Sequence, residues 1–272
     1  MAGVIGWLLI AVSSVTLVPL VLILLLLRRI WKPFGLSSRI TLVLALLTLW
    51  PAAWNFGKLL IPYPARLERT RPAATVRLPM DGPIRVAWGG DRLSVNQHVA
   101  YPDQRWAYDL LTEPAMIKSN RLEDYGCFGK PVLAPVSARV HHIVDGVNDQ
   151  PPGEPSDDFS KTCGNMVVLE LDHTGTYLLI CHMKRGSVLV RPEERIVEGQ
   201  AIGACGNSGH TTEPHVHIQH QRQDPKVYAT HLAEGLPLFF RDHDGPPMPE
   251  GGIEERAGQS ILTGAIVTHR AR

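Results

Sequence analysis

GACGNSGHTTEPHVHIQ, running from Gly203 to Gln219, is the stretch on which the reading of this chain turns. Its last part, Pro214-His215-Val216-His217-Ile218-Gln219, alternates polar and apolar residues and predicts a β-strand. Residues i and i+2 of a strand point to the same face, so His215 and His217 enter one cleft together. Two imidazoles side by side suit a metal ligand and a proton-transfer partner, but H-x-H alone is a weak signal, and the blander reading is two satisfied surface histidines. The first part, Gly203 to His210, is a glycine-rich turn that folds the chain back before the strand. It lacks the Gly-Lys-Ser/Thr ending of a phosphate-binding loop, which argues against nucleotide binding.

Outward from this stretch, short apolar runs separated by Gly, Pro and polar residues continue on both sides: Ile84–Trp88, Val132–Val140, Met166–Leu171, Tyr177–Cys181 and Ala201–Ala204. No long amphipathic helical pattern follows residue 80, so residues 81–240 are expected to form one mainly β domain. Within it, the polar segment from Asp145 to Cys163 is expected as a surface loop, inert or forming a cleft wall. Residues 241–272 are expected to be a tail of loop followed by one edge strand near Ile261–Val267.

The N-terminal part is of a different kind. Val4 to Leu27 holds no charged residue, a length of roughly 36 Å as a helix and enough to cross a bilayer. A second apolar run, Ile40 to Ile61, is interrupted by Pro51, Asn55 and Lys58. Together they predict a transmembrane helical hairpin over residues 1–61, followed by a proline-rich linker over 62–80. A cleaved signal peptide is the competing reading, but Met1-Ala2-Gly3 carries no Lys or Arg. Arg28, Arg29, Lys32 and Arg39 favour a cytoplasmic loop between the spans, which places the C-terminal domain outside the cytoplasm. Arg66, Arg69 and Arg71 beyond the second span weaken that contrast.

The formal charge of +1 gives no basic field to hold nucleic acid. Cys127, Cys163, Cys181 and Cys205 form no C-x-x-C pair, so a thiolate zinc site is not expected. Outside the cytoplasm they can form disulfides, with Cys127–Cys163 a natural pair across one loop-rich stretch; four buried thiols are the other reading.

Three further residues carry chemistry. His182 ends the strand Tyr177–Cys181, where an imidazole facing a cleft can stabilise charge or shuttle protons. Asp109 lies in the apolar run Arg105–Leu111, where a carboxylate needs a metal, or pairing with Arg105. His98, in Asn96-Gln97-His98, is a third candidate ligand.

These pieces occur in an order that resembles the lysostaphin/LytM-like zinc metallopeptidases. The resemblance rests on Asn207-Ser208-Gly209 and Glu213-Pro214-His215-Val216-His217. It is extended by Gly164–Val168, Tyr177–His182, Gly186–Val188, Val197–Gln200 and Ala134–Val140, and covers most of residues 84–240. It implies an antiparallel β domain binding one Zn2+. The ligands would be His98, Asp109 and His217, with His215 acting on the attacking water and His182 stabilising the tetrahedral intermediate. The family usually places its first His and Asp four positions apart, whereas His98 and Asp109 are eleven apart, so His141 and His142 stand as substitutes. Ser137-Ala138 replaces the usual turn, and His210 is expected to face solvent. The implied substrate is a peptidoglycan or cell-wall peptide. A regulatory envelope protein is a further expected partner. Rival readings are a non-catalytic domain of the same fold that binds wall or a partner protein and regulates another hydrolase, a metal-binding or transport accessory, and an envelope scaffold whose hairpin does the work.

Overall fold

Alternation along the strand that carries the H-x-H pair sets the architecture. Val216 and Ile218 are buried in the hydrophobic core, while His217, Gln219 and Gln221 line the opposite face, which is a cleft. One face of the sheet is thus core and the other is site, as the two-residue repeat requires.

The computed structural model describes residues 35–48, 62–228 and 232–270, together with residues 4, 17, 19–25 and 27–28. Two compact units result, Met1–Tyr63 and Pro64–Arg272. In the first, residues 19–25 are helical and α1 spans Leu36–Thr48, 13 residues. Among the described residues no helix is long and apolar enough to cross a membrane. Most of the first expected span, and residues 49–61 of the second, lie outside the described residues.

Among the described residues the second unit holds fourteen strands: β1 (Ala74–Arg77), β2 (Pro83–Trp88), β3 (Tyr108–Leu111), β4 (Pro131–Leu133), β5 (Ala138–Val144), β6 (Asn165–Leu171) and β7 (Thr176–Met183) in the first half. The second half adds β8 (Arg195–Ile196), β9 (Ala201–Ala204), β10 (Val216–Gln221), β11 (Leu238–Arg241), β12 (Ile253–Arg256), β13 (Gln259–Leu262) and β14 (Ile266–Thr268). Eight of them form the main sheet in the order β14-β2-β3-β10-β7-β6-β5-β8, with every neighbouring pair antiparallel. The mainly β, antiparallel expectation is met.

On the core face, the parallel pair β1–β11 and the antiparallel pair β4–β9 complete a second layer. Val76, Leu78, Met80, Val132, Ile202, Leu238 and Phe240 from this layer join Ile84, Leu110, Leu169 and Ile180 of the main sheet in one apolar cluster. Burying a side chain of this size contributes about 1.5–3 kcal/mol, so the layer anchors the sheet that carries the site.

Two boundaries and the cysteine pairing differ from the sequence reading. Residues 64–80, expected to be linker, carry β1 and bury Ala74, Val76, Leu78 and Met80. The tail after residue 240 contains a β12–β13 hairpin besides an edge strand, and that edge strand is β14, which pairs with β2. The cysteines pair as Cys127–Cys205 and Cys163–Cys181 rather than Cys127–Cys163. Pairing of β4 with β9 brings Cys127 to Cys205, and a bond from the His182 N–H to the Cys163 carbonyl brings Cys163 to Cys181. Contacts across the sheet, rather than proximity along the chain, select the partners.

Candidate active site

Asp109 on β3 and His217 on β10 are direct cross-strand partners, and His217 is in turn opposite Cys181 on β7. Directly opposed residues of an antiparallel pair share a face, so this register sets a carboxylate and an imidazole side by side in the cleft. His217 Nδ1 lies 2.8 Å from Asp109 Oδ1. His98 comes from a one-turn 3-10 helix, Gln97–Ala100, and its Nε2 lies 3.5 Å from Asp109 Oδ2. The eleven-residue spacing is therefore no obstacle: the intervening turns return Asp109 to the imidazole. Arg105, the other partner considered for Asp109, pairs with Asp91 instead, at 3.0 Å.

Parity along β7 would send His182 into the core, because Cys181 faces the cleft. It does not go there. Between Ile180 and Met183 the strand carries one more residue than its partner β6, and His182 has φ of +59°. A bulge with a left-handed residue re-aims a side chain, at a cost of about 1–3 kcal/mol for the backbone conformation. Here it turns His182 toward His215, with ring centroids 4.7 Å apart. Hydrogen bonds from the His182 N–H to the Cys163 carbonyl and from the Gly206 N–H to the His182 carbonyl hold the distortion in place.

His215 lies just before β10, and its Nε2 is 3.4 Å from Asp109 Oδ1. Its Nδ1 lies 2.8 Å from the Glu213 carbonyl, and the Nδ1 of His182 lies 2.8 Å from the Ser208 carbonyl. A carbonyl only accepts, so each Nδ1 carries its proton and donates, and both rings present Nε2 to the cleft. Sequence reasoning did not find these two carbonyls, which belong to the glycine-rich turn and its continuation.

Burial would push the Asp109 carboxyl up, but His98 and His215 beside it, with side-chain contacts to His215 and His217, hold it well below the usual carboxylate range. Burial lowers His98 to about 4, against the attraction of Asp109. His182 is driven well below the usual histidine value by burial, then by His215 and His217. For His215 burial acts downward, yet Asp109 and the Glu213 carbonyl raise it above the ordinary value. The pair is thus split in basicity, with His215 the ring that more readily holds a proton.

The donor set fits a zinc ion. Nitrogen from His98, oxygen from Asp109 and nitrogen from His217 all lie within 4.8 Å of one another, and all three residues are buried. Two imidazoles and one carboxylate would leave the fourth position of a tetrahedral ion open.

The two substitutes are not part of this group. His141 lies with Asp224, 2.8 Å away, and His142 follows it on β5, away from the cleft. His210 is exposed, as expected, with its Nδ1 2.8 Å from the Ser156 carbonyl. The Asp145–Cys163 segment proves to be a cleft wall, contributing Phe159, Ser160, Lys161 and Thr162 to a cavity of ≈ 990 Å³.

Residues 123–229 match the Peptidase family M23. The matched stretch contains His182, His215 and His217, while His98 and Asp109 lie upstream of it. The peptidoglycan DD-endopeptidase ShyC of Vibrio cholerae is 32% identical over 104 residues, covering 38% of this chain and 20% of that protein. The chain thus matches about a fifth of the length of that curated relative. A zinc-containing peptidase from Vibrio cholerae aligns at 19% identity over 42% of this chain and 26% of that one, TM-score 0.29. The catalytic domain of lysostaphin from Staphylococcus simulans aligns at 20% identity over 53% of this chain and 89% of that one, TM-score 0.31. Over residues 123–229, the chain is therefore similar to peptidase family M23.

Proposed function

We propose that this chain is a membrane-anchored zinc metalloendopeptidase that cleaves peptide bonds in peptidoglycan. The observation that carries the reading is the gathering of His98, Asp109 and His217 within 4.8 Å on a cleft floor, with His182 and His215 beside them. Those three residues would hold the ion, and His182 and His215 are the catalytic pair. Zinc, when bound, supplies Lewis-acid polarisation of a carbonyl and makes water more acidic.

The chain's own residues do the rest. The exposed Nε2 of the histidine pair accepts the proton that the attacking water releases as it adds to the scissile carbonyl carbon. A neutral ring whose Nδ1 already donates to a carbonyl presents only an acceptor at Nε2. His182 therefore donates to the developing oxyanion only once protonated, which refines the role its position implies. When the C–N bond breaks, the protonated ring returns its proton to the leaving amine. The wall formed by Phe159 to Thr162 bounds the cavity of ≈ 990 Å³ in which an extended peptide would lie.

The substrate class rests on the family and on the named activity of the Vibrio cholerae relative. Anchoring rests on the uncharged run Val4–Leu27, and placement outside the cytoplasm on Arg28, Arg29, Lys32 and Arg39 together with two disulfides. Residues 64–272 loaded with zinc should release peptide fragments from purified wall, each cut adding one water by mass analysis. His215→Ala should release none. Equal digestion by both proteins would end the enzymatic reading. Zinc binding without any digestion would favour the alternative, a wall-binding domain that regulates another hydrolase.

A further inference from the structure

The face of β10 that carries His217 continues with Gln219 and Gln221, and these three side chains are joined end to end. His217 Nε2 lies 3.0 Å from Gln219 Oε1, Gln219 Nε2 lies 2.9 Å from Gln221 Oε1, and Gln221 Nε2 lies 2.7 Å from the Gln223 carbonyl. The last partner fixes the direction of the whole chain. A carbonyl cannot donate, so Gln221 must present its NH2 there and its oxygen to Gln219. Gln219 must then donate to Gln221, which its second contact, to the Asp103 carbonyl at 3.4 Å, also favours. Its oxygen is left facing His217, so Nε2 of His217 carries a proton, and in the neutral ring the Nδ1 lone pair faces Asp109.

A mirror arrangement sets His98. Asn96 is fully buried and its Nδ2 donates to two carbonyls, Gly90 at 2.9 Å and Ala107 at 3.1 Å. Its oxygen therefore accepts from His98 Nδ1, 3.0 Å away, and the lone pair of Nε2 faces Asp109. Opposite nitrogens are exposed on the two rings, yet both are aimed at one carboxylate.

We infer that Asn96 and the Gln219–Gln221 chain are positioning residues that lock complementary tautomers, making His217 an Nδ1 ligand and His98 an Nε2 ligand of a single zinc ion. This rests on the zinc reading of the site. The physical content is that two lone pairs and a carboxylate converge on one point, an arrangement favourable only around a cation. Directionality comes from backbone carbonyls at the far ends of both chains, so it is built in by the fold before any ion arrives.

The test measures zinc affinity of the full-length chain in detergent by competition with a chromophoric chelator, and ring-nitrogen NMR of the zinc-loaded protein labelled in histidine. Gln219→Leu is expected to weaken zinc about 10–100-fold, the usual effect of losing such an outer partner, and Gln221→Leu less. Gln219→Glu keeps an acceptor for Nε2–H though no donor for Gln221, and should hold zinc more tightly than Gln219→Leu, a control for folding as much as for chemistry. The spectrum should show His217 bound through Nδ1 with a proton on Nε2, and His98 the reverse. Wild-type zinc affinity in Gln219→Leu, or binding of His217 through Nε2, would overturn the inference, provided that Asp109→Ala loses zinc. If Asp109→Ala holds zinc as tightly as wild type, it is the reading of the site itself that has failed.

Discussion

His220 provides a quantitative test of how β10 is held. It lies three residues beyond His217 on the core side of the strand and is 1% exposed. Its Nδ1 faces the Pro237 carbonyl at 3.1 Å and its Nε2 faces the Thr176 hydroxyl at 2.7 Å, which suits a neutral ring. Burial lowers its pKa from 6.5 to about 4, the Pro237 carbonyl opposing and Arg222 assisting. Below about pH 6.5 the unfolded chain takes up a proton here that the folded chain refuses until about pH 4, so stability falls as pH falls through that window. Linkage over that interval amounts to about 2 kcal/mol lost between about pH 7.5 and about pH 5, approaching about 3 kcal/mol near pH 4. Burial also lowers His98, with the same sign, so the measurement must be a difference between proteins. Denaturant unfolding of residues 64–272 and of the same fragment with His220→Gln, at both pH values, isolates the contribution. The variant is expected to lose about 2 kcal/mol less than wild type on acidification, whatever its stability at neutral pH. Equal losses in the two proteins would refute the neutral, buried imidazole.

Other consequences follow from the same geometry. Asp109→Ala or Asp109→Asn should lose zinc together with hydrolysis, and chelation of the wild type should abolish cleavage and lower its melting temperature, both restored by added zinc. Breaking Cys127–Cys205, which spans 78 residues, by the double change to alanine should cost about 4.5 kcal/mol on the chain-entropy account, read as a shifted denaturant midpoint. Tyr108→Phe removes a buried hydroxyl that donates to the Leu238 carbonyl at 3.1 Å and should cost about 1–3 kcal/mol, with zinc affinity unchanged. Gly264→Ala should destabilise the β14 edge, since an added Cβ would lie 1.9 Å from the Val86 carbonyl oxygen; an unchanged melting temperature would contradict that packing.

Much of the fold was legible because its strands repeat with period two, and a period survives in a sequence without any knowledge of partners. The apolar runs Ile84–Trp88, Met166–Leu171, Tyr177–Cys181 and Val216–Gln219 all fall within strands of the main sheet. Short or distant pairings left no such trace. The four residues of β1 take their place from β11, more than 150 positions away, and their buried face was hidden among prolines. The disulfide partners were illegible for the same reason.

At the site, the chain's local pattern alone determined that His215 and His217 share a face, since strand parity needs only two neighbouring residues. Resemblance in the order of the motifs added His98, Asp109 and His182 as candidates. The tertiary structure alone decided that Asp109 stands opposite His217, that a bulge turns His182 out of the core, and that Arg105 leaves Asp109 for Asp91. It alone decided which ring nitrogens are bare, because backbone carbonyls from distant turns assign the protons. Local periodicity is written residue by residue. Register, bulges and hydrogen-bond direction come from which strands meet, and that is decided by burying one common core.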